Sequence, residues 1–280
     1  MYILQRLFER MCMKLVSILL LGVSISCFAY GSVWDWGEYQ RRFAENTAWG
    51  PGERLVFSVE YGIIKAGTAT LNVTGPVDHD GLLAYRITAE AGSNPAFSSF
   101  FEVRDINEAL LDIVQLHSLT FMKSLQEGDF SSSEEMYFDQ EAGFAYYPDE
   151  EDPELAEMAI PPHALDVLSA FYYARTRELE PGGNFYIDVH VDNDNYPLEV
   201  KVLDRETIRT RAGTFDCIQL QPVLRGDGLF KQQGEIFIWV TDDERHMPVL
   251  MSASIVIGEI TCMLEDFTMG TPLEVENPFQ

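Results

Sequence analysis

Between residues 50 and 268 the side chains alternate apolar and polar with a period of two, and that alternation decides what the chain can fold into. Leu55, Phe57, Val59 and Tyr61 alternate with Val56, Ser58, Glu60 and Gly62. After a glycine-containing turn, Ala69, Leu71 and Val73 alternate with Thr68, Thr70, Asn72 and Thr74. Successive residues of a strand point to opposite faces, so each run has one dry face and one wet face. Similar runs follow at Ala84–Ala91, Ser99–Asp105, Ala109–Val114, Ser118–Leu125, Ser133–Asp139 and Gly143–Tyr147. The second half repeats the texture at Asn184–Asp192, Leu198–Leu203, Thr207–Arg211, Thr214–Val223, Gly234–Thr241, Pro248–Ile257 and Glu259–Phe267. Turn residues such as Ala212-Gly213, Gly226-Asp227-Gly228 and Asp242-Asp243 separate them. An antiparallel sheet of this many strands must curl or close. The expected fold is therefore mainly β: a single large curved antiparallel sheet, a β-roll or incompletely closed barrel, with one central helix.

That helix is the one break in the rhythm. From 163 to 179, Leu165, Leu168, Phe171, Tyr172 and Arg175 fall at helical spacing behind Pro161-Pro162, with Asp166 in the first turn and Pro181-Gly182-Gly183 as the stop. An apolar stripe of this kind docks on the open side of a curved sheet. The acidic, proline-containing stretch Pro148–Glu157 before it reads as an exposed connector. Residues 30–49 read as an irregular arm carrying Trp34, Trp36 and Trp49, and residues 269–280 as a C-terminal tail. Neither half looks self-sufficient, so residues 50–268 are expected to form one domain.

Residues 1–29 have the grammar of a secretory signal peptide. Arg6, Arg10 and Lys14 lead into the apolar run Leu15–Ile25, and Cys27 and Ala29 stand at the −3 and −1 positions of a cleavage site. Met11 and Met13 offer alternative starts. The apolar run is shorter than the roughly 20 residues that span a bilayer, and no later segment is long and apolar enough to do so. The expected location is periplasmic or secreted, the alternative being a lipoprotein anchored at Cys27. Of four cysteines, the processed chain keeps Cys217 and Cys262, for which an exported compartment permits a disulfide.

Acidic residues outnumber basic ones by 45 to 19, for a formal charge of −26. Such a field repels phosphate backbones, so nucleic acid is not an expected partner. Searching for chemistry yields little. The histidines at 79, 117, 163, 190 and 246 show no metal spacing, and no nucleophile elbow, Walker loop or dinucleotide fingerprint opens a helix. Asp192-Asn193-Asp194-Asn195 suggests calcium, but Pro197 and Leu203 stand where such a loop needs Gly and Glu. No catalytic residue, metal ligand or cofactor is nominated.

The segments Gly52–Ala69, Phe101-Glu102-Val103-Arg104-Asp105, Asp166–Arg175, Ala212–Cys217, Ile238–Asp243 and Pro248–Ile260 together resemble exported bacterial proteins catalogued as domain of unknown function 3108. The resemblance spans about residues 50–267. It implies an envelope location and a curved β-roll or open barrel, and it supplies no activity and no catalytic residues.

Geometry completes the expectation. A curled sheet with a helix carrying Leu168, Phe171 and Tyr172 across its concave side would form an apolar trough for a hydrophobic ligand. The competing reading is that the helix plugs the sheet and leaves no cavity, since interiors pack to crystal-like density. The functional expectation is a non-catalytic exported envelope protein that binds a hydrophobic ligand or a protein partner through its curved sheet. Its alternatives are a structural or assembly module with a plugged core, and a periplasmic enzyme of unrecognised type.

Overall fold

Among the described residues fourteen strands form one antiparallel sheet, and its order explains how the chain curls without closing. In chain order they are β1 (Arg54–Tyr61), β2 (Ile64–His79), β3 (Leu82–Ser93), β4 (Val103–Asp112), β5 (Ser118–Glu127), β6 (Phe130–Asp139) and β7 (Phe144–Tyr146). After these come β8 (Glu157–Ala159), β9 (Asn184–Val191), β10 (Asp194–Arg209), β11 (Thr214–Val223), β12 (Ile236–Thr241), β13 (Pro248–Ser254) and β14 (Glu259–Thr268). A short helical turn α1 (Pro95–Ser98) precedes β4, and helix α2 (Val167–Ala174) lies between β8 and β9. The computed structural model describes residues 37–99, 101–148, 157–191, 193–223, 235–254 and 258–280. The signal segment, Trp34, Trp36, most of the acidic connector and the Gly226–Gly228 turn lie outside the described residues.

The sheet runs β8-β7-β6-β5-β4-β3-β2-β1-β14-β13-β12-β11-β10-β9. Two meanders of neighbouring hairpins are thus fused at their first and last strands, with Arg54 opposite Thr268 and Tyr61 opposite Ile260. This leaves β8 and β9 as the two edges. They are consecutive in the chain, and the segment joining them contains α2.

Those edges meet without a direct ladder between them. Asn195 donates its side-chain amide to the Ala159 carbonyl at 2.7 Å, and the Tyr147 hydroxyl lies 2.6 Å from His190 Nε2. Leu165, just ahead of α2, forms a parallel bridge with Val189 of β9. The sheet is therefore curled until its edges are bridged by side chains and one residue of connecting chain. These contacts interrupt the open row of backbone groups that an edge strand offers. One hydrophobic cluster joins residues from both meanders, including Leu55, Phe57, Ile87, Leu111, Val200, Met251 and Leu264. A smaller cluster is formed by Ala84, Leu110 and Leu119.

Helix α2 is shorter than the expected 163–179: Asp166 caps its start instead of lying in its first turn, and Arg175 is already its C-cap. The Asp166 carboxylate accepts from the Leu168 and Ser169 amides, both at 2.9 Å. It also accepts from the Ser118 hydroxyl at 2.5 Å, while the same hydroxyl accepts from the Asp166 amide at 2.8 Å. Three orphan donors are satisfied at one residue, and the helix start is tied to the first residue of β5. His163, with φ 58°, is a turn residue ahead of the cap.

Two further expectations need correction. The runs Ser99–Asp105 and Ala109–Val114 are not separate strands: residues 103–112 form one unbroken β4, preceded by α1. Likewise 198–203 and 207–209 belong to one strand, β10, which ends at Arg209 and whose register shifts between Val202 and Arg205. A bulge moves the alternation out of phase and makes one strand read as two. The C-terminal residues also pack: Met269 and Leu273 lie against the core. Gly270 crosses the arm so closely that a Cβ there would sit 1.9 Å from the Gly50 carbonyl oxygen, which only glycine permits.

Candidate functional site

The concave face of the sheet has two unlike poles, and the helix fills one of them. Trp49, at the end of the arm, donates its indole N–H to the Tyr172 carbonyl at 2.9 Å. Its ring makes edge contacts with Tyr85 at 4.8 Å and Tyr172 at 4.9 Å between centroids. Arg175, at the C-cap of α2, forms a bidentate pair with Glu53 at 2.7 and 2.8 Å, both side chains at most 1 % exposed. Its remaining donors reach the His246 and Arg245 carbonyls at 3.1 and 3.3 Å. One guanidinium thus joins the helix, the chain entering β1 and the loop between β12 and β13.

Of the three residues expected to line an apolar trough, Leu168 and Tyr172 are buried in this core and Phe171 is half-buried against it. The structure places them in the plug.

Away from the helix the same concave face becomes polar. The ladders put Ala91, Asp105 and Leu125 in one row, Ala89, Asn107 and Lys123 in the next, and Val103 opposite Glu127 beyond. Ala89, Ala91 and Leu125 are buried apolar residues, so the polar groups in register with them share the dry face. Asp105, Asn107 and Glu127 are each 1 % exposed. Asp105 Oδ1 accepts from the Gln126 amide at 3.2 Å. Asp105 Oδ2, Asn107 Oδ1 and both Glu127 carboxyl oxygens have no hydrogen-bond partner, and they are half of the eight such buried atoms among the described residues. Leaving one buried acceptor unpaired costs about 1–3 kcal/mol, so four in one place is an arrangement that asks for donors.

The electrostatics follow from burial. Desolvation pushes the Asp105 carboxyl up to about 6. It pushes Glu127 up to about 8, with the Asp105 charge adding to the rise and Lys123 opposing it. Around pH 7 this pair retains about one proton. Lys123 itself lies 3.8 Å from Glu134.

Glu127 also sets a stability slope. Its folded-state value lies above the ordinary carboxyl value, so the folded chain keeps a proton that the unfolded chain has released. Its full contribution is present below about 4.5 and lost as pH rises through about 8. Glu127→Gln is expected to raise stability at pH 9 by about 1–3 kcal/mol and to have little effect at pH 4, as urea unfolding at the two pH values would show.

A different cluster lies at the helix end, under the arm. His163 Nε2 is 2.8 Å from the Gln40 carbonyl, an acceptor, which fixes the proton on Nε2 and leaves Nδ1 to accept from His117 Nδ1 at 3.4 Å. Nearby, an open groove of about 740 Å³ is lined by Tyr39, Leu119, Tyr137, Tyr146 and Phe279 among others. Among the described residues, no group of three or more His, Cys, Asp or Glu side chains is arranged to hold a metal ion.

The family model described as "Protein of unknown function (DUF3108)" matches residues 56–265. The chain belongs to the DUF3108 family. No curated protein matches it. Among solved structures, a β-barrel-like DUF1849 protein from Brucella abortus aligns with a TM-score of 0.51 at 7 % identity, covering 80 % of this chain and 99 % of that one. That likeness concerns the fold. A candidate exported protein with a YmcC-like fold from Bacteroides fragilis aligns at TM-score 0.29 and 12 % identity, covering 79 % and 97 % of the two chains. A candidate lipoprotein from Parabacteroides distasonis aligns at 0.30 and 10 %, covering 81 % and 98 %.

Within this DUF3108 chain the two cysteines among the described residues, for which a disulfide was possible, are free, buried thiols. Cys217 is on β11 and Cys262 on β14, with β12 and β13 between them. Three inter-strand spacings amount to about 14 Å, twice the Cα separation a disulfide tolerates. Burial pushes both thiols up to about 12, so neither is a reactive thiolate at neutral pH. Among the described residues no helix is long and apolar enough to cross a membrane.

Sequence reasoning missed Asp105, Asn107 and Glu127. Their signal was available: if the alternation of β4 is carried through without a break, 103, 105, 107, 109 and 111 fall on one face, and two of the five are polar.

Proposed function

We propose that this chain is a non-catalytic exported protein of the bacterial envelope that holds a small ligand inside its curled sheet. The observation that carries this reading is the set of four unpartnered acceptor atoms on the concave face, beyond the plug made by α2. A ligand lying there would place its polar end on Asp105, Asn107 and Glu127, and its apolar part along Ala89, Ala91 and Leu125. The leader sequence supports the envelope location.

The protein expressed with its leader and sprayed from a native buffer is expected to carry a small-molecule adduct that is released on denaturation. A clean unliganded mass overturns the reading. That outcome would instead favour an assembly module, whose docking element would be the β1–β2 turn, where Ile63 and Ile64 are 100 % and 57 % exposed.

A further inference from the structure

We propose that the polar pole of the concave face is a recognition site for an organic ammonium group, the cationic head of the bound ligand. This rests on the binding reading above and names the chemistry it selects.

The first reason is the sign of the unmet demand. With both carboxyls ionised, Asp105 Oδ2, Asn107 Oδ1 and the two Glu127 oxygens are all unpartnered acceptors, so the partner that would favour that state is a donor with several N–H groups. The second is charge. Asp105, Glu127 and Glu134 bring three carboxyls to this stretch of the face, and Lys123, 3.8 Å from Glu134, brings one cation. Even with one proton on the Asp105–Glu127 pair, the described groups carry an excess negative charge in a buried place. A buried charge is stable only when paired and hydrogen-bonded. An ammonium supplies both at once, with three donors splayed toward acceptors on neighbouring rungs of β4 and β5. Water would satisfy the acceptors but not the charge.

The third reason is the approach. The whole chain carries −26, a field that concentrates cations and repels anionic ligands before any contact is made. Glu127 is the last residue of β5, so the site lies next to the β5–β6 turn at the end of the sheet remote from α2. No covalent bond changes on binding. The proton that the two carboxyls retain near pH 7 leaves to solvent as the ammonium takes its place, so affinity should rise with pH until both carboxyls are ionised.

The probes are hexylammonium, hexanol and hexyltrimethylammonium, titrated calorimetrically into the full processed protein at pH 6 and pH 8.5. Hexylammonium is expected to bind at least tenfold more tightly than the alcohol, which lacks charge, and than the quaternary ion, which lacks N–H donors. Its affinity is expected to be greater at the higher pH, with proton release. The double variant Asp105→Asn, Glu127→Gln is expected to lose tenfold or more of that affinity. Equal binding of alcohol and ammonium, retention of ammonium affinity in the double variant, or no binding by hexylammonium overturns the assignment. The comparison among probes uses the unaltered protein and does not depend on the variant folding. Native mass spectrometry separates the two levels of the argument. An adduct without basic nitrogen, or one kept by the double variant, sinks the ammonium assignment and leaves the binding reading intact. No adduct in either protein sinks the binding reading itself.

Discussion

Arg175→Ala is expected to lower the unfolding free energy by about 3–5 kcal/mol, because it leaves the Glu53 carboxylate buried without its partner. The two side chains are 1 % and 0 % exposed and share two short hydrogen bonds, so water cannot replace the guanidinium in place. The loss comes mainly from the stranded charge. Two consequences separate this from ordinary loss of packing. Glu53→Ala, which strands the cation instead, should cost a similar amount. The double variant Glu53→Leu, Arg175→Met, with no charge left to bury, should recover much of the deficit. Urea unfolding of the four proteins checks both, and additive losses in the double variant would refute the coupling.

The Glu53–Arg175 pair shows what a linear reading can and cannot reach. Arg175 stands on the helix stripe with Leu165, Leu168, Phe171 and Tyr172, and a cation in an apolar stripe signals a buried partner. The sequence offers no means of choosing that partner from 45 acidic residues, since Glu53 lies 122 positions away and meets Arg175 only after the sheet has curled.

Strands and their alternation were legible because period two is a local property. Legibility failed where the local rule is broken: at the β10 bulge, and on β4, where Asp105 and Asn107 occupy core-facing positions. The second failure is informative. A polar residue on the dry face costs stability, so the place where β4 reads as two strands is the place where the fold departs from packing alone. The plug was legible as an apolar helix. That it consumes Leu168 and Tyr172, leaving the polar half of the face as the candidate site, depends on how α2 sits against β3, β4 and β9, which no spacing reveals.

Acidification is expected to release the arm, through His117 and His163. Burial pushes His117 down to about 3, and the neighbouring His163 and Arg42 push the same way. His163 is lowered to about 4, again mainly by burial and then by Arg42. Both are neutral in the folded chain, while in the unfolded chain each takes up a proton below about 6.5. Unfolded protein therefore binds more protons between these values, and stability falls as pH drops from about 6.5 toward 3. At pH 4 the His117 contribution is about 3 kcal/mol, each tenfold change in proton affinity being worth about 1.4. The half-exposed His163 contributes less. The Asp105–Glu127 pair runs the other way, gaining stability as pH falls, so the total profile understates the histidine effect. Comparison with His117→Phe removes that ambiguity: the variant keeps a ring beside His163, cannot charge, and should lose about 3 kcal/mol less than the parent between pH 7 and pH 4. The arm should respond first. His163 donates to the Gln40 carbonyl, and Arg42 donates to the Gln115 and Leu116 carbonyls at 3.0 and 3.2 Å, so protonation gathers three cations where the arm is fastened. Amide protection at pH 5, taken relative to the intrinsic exchange rate at that pH, should fall in residues 40–45 before it does in β4 or β5, and a uniform fall across the sheet would show that the histidines govern global unfolding and not the docking of the arm.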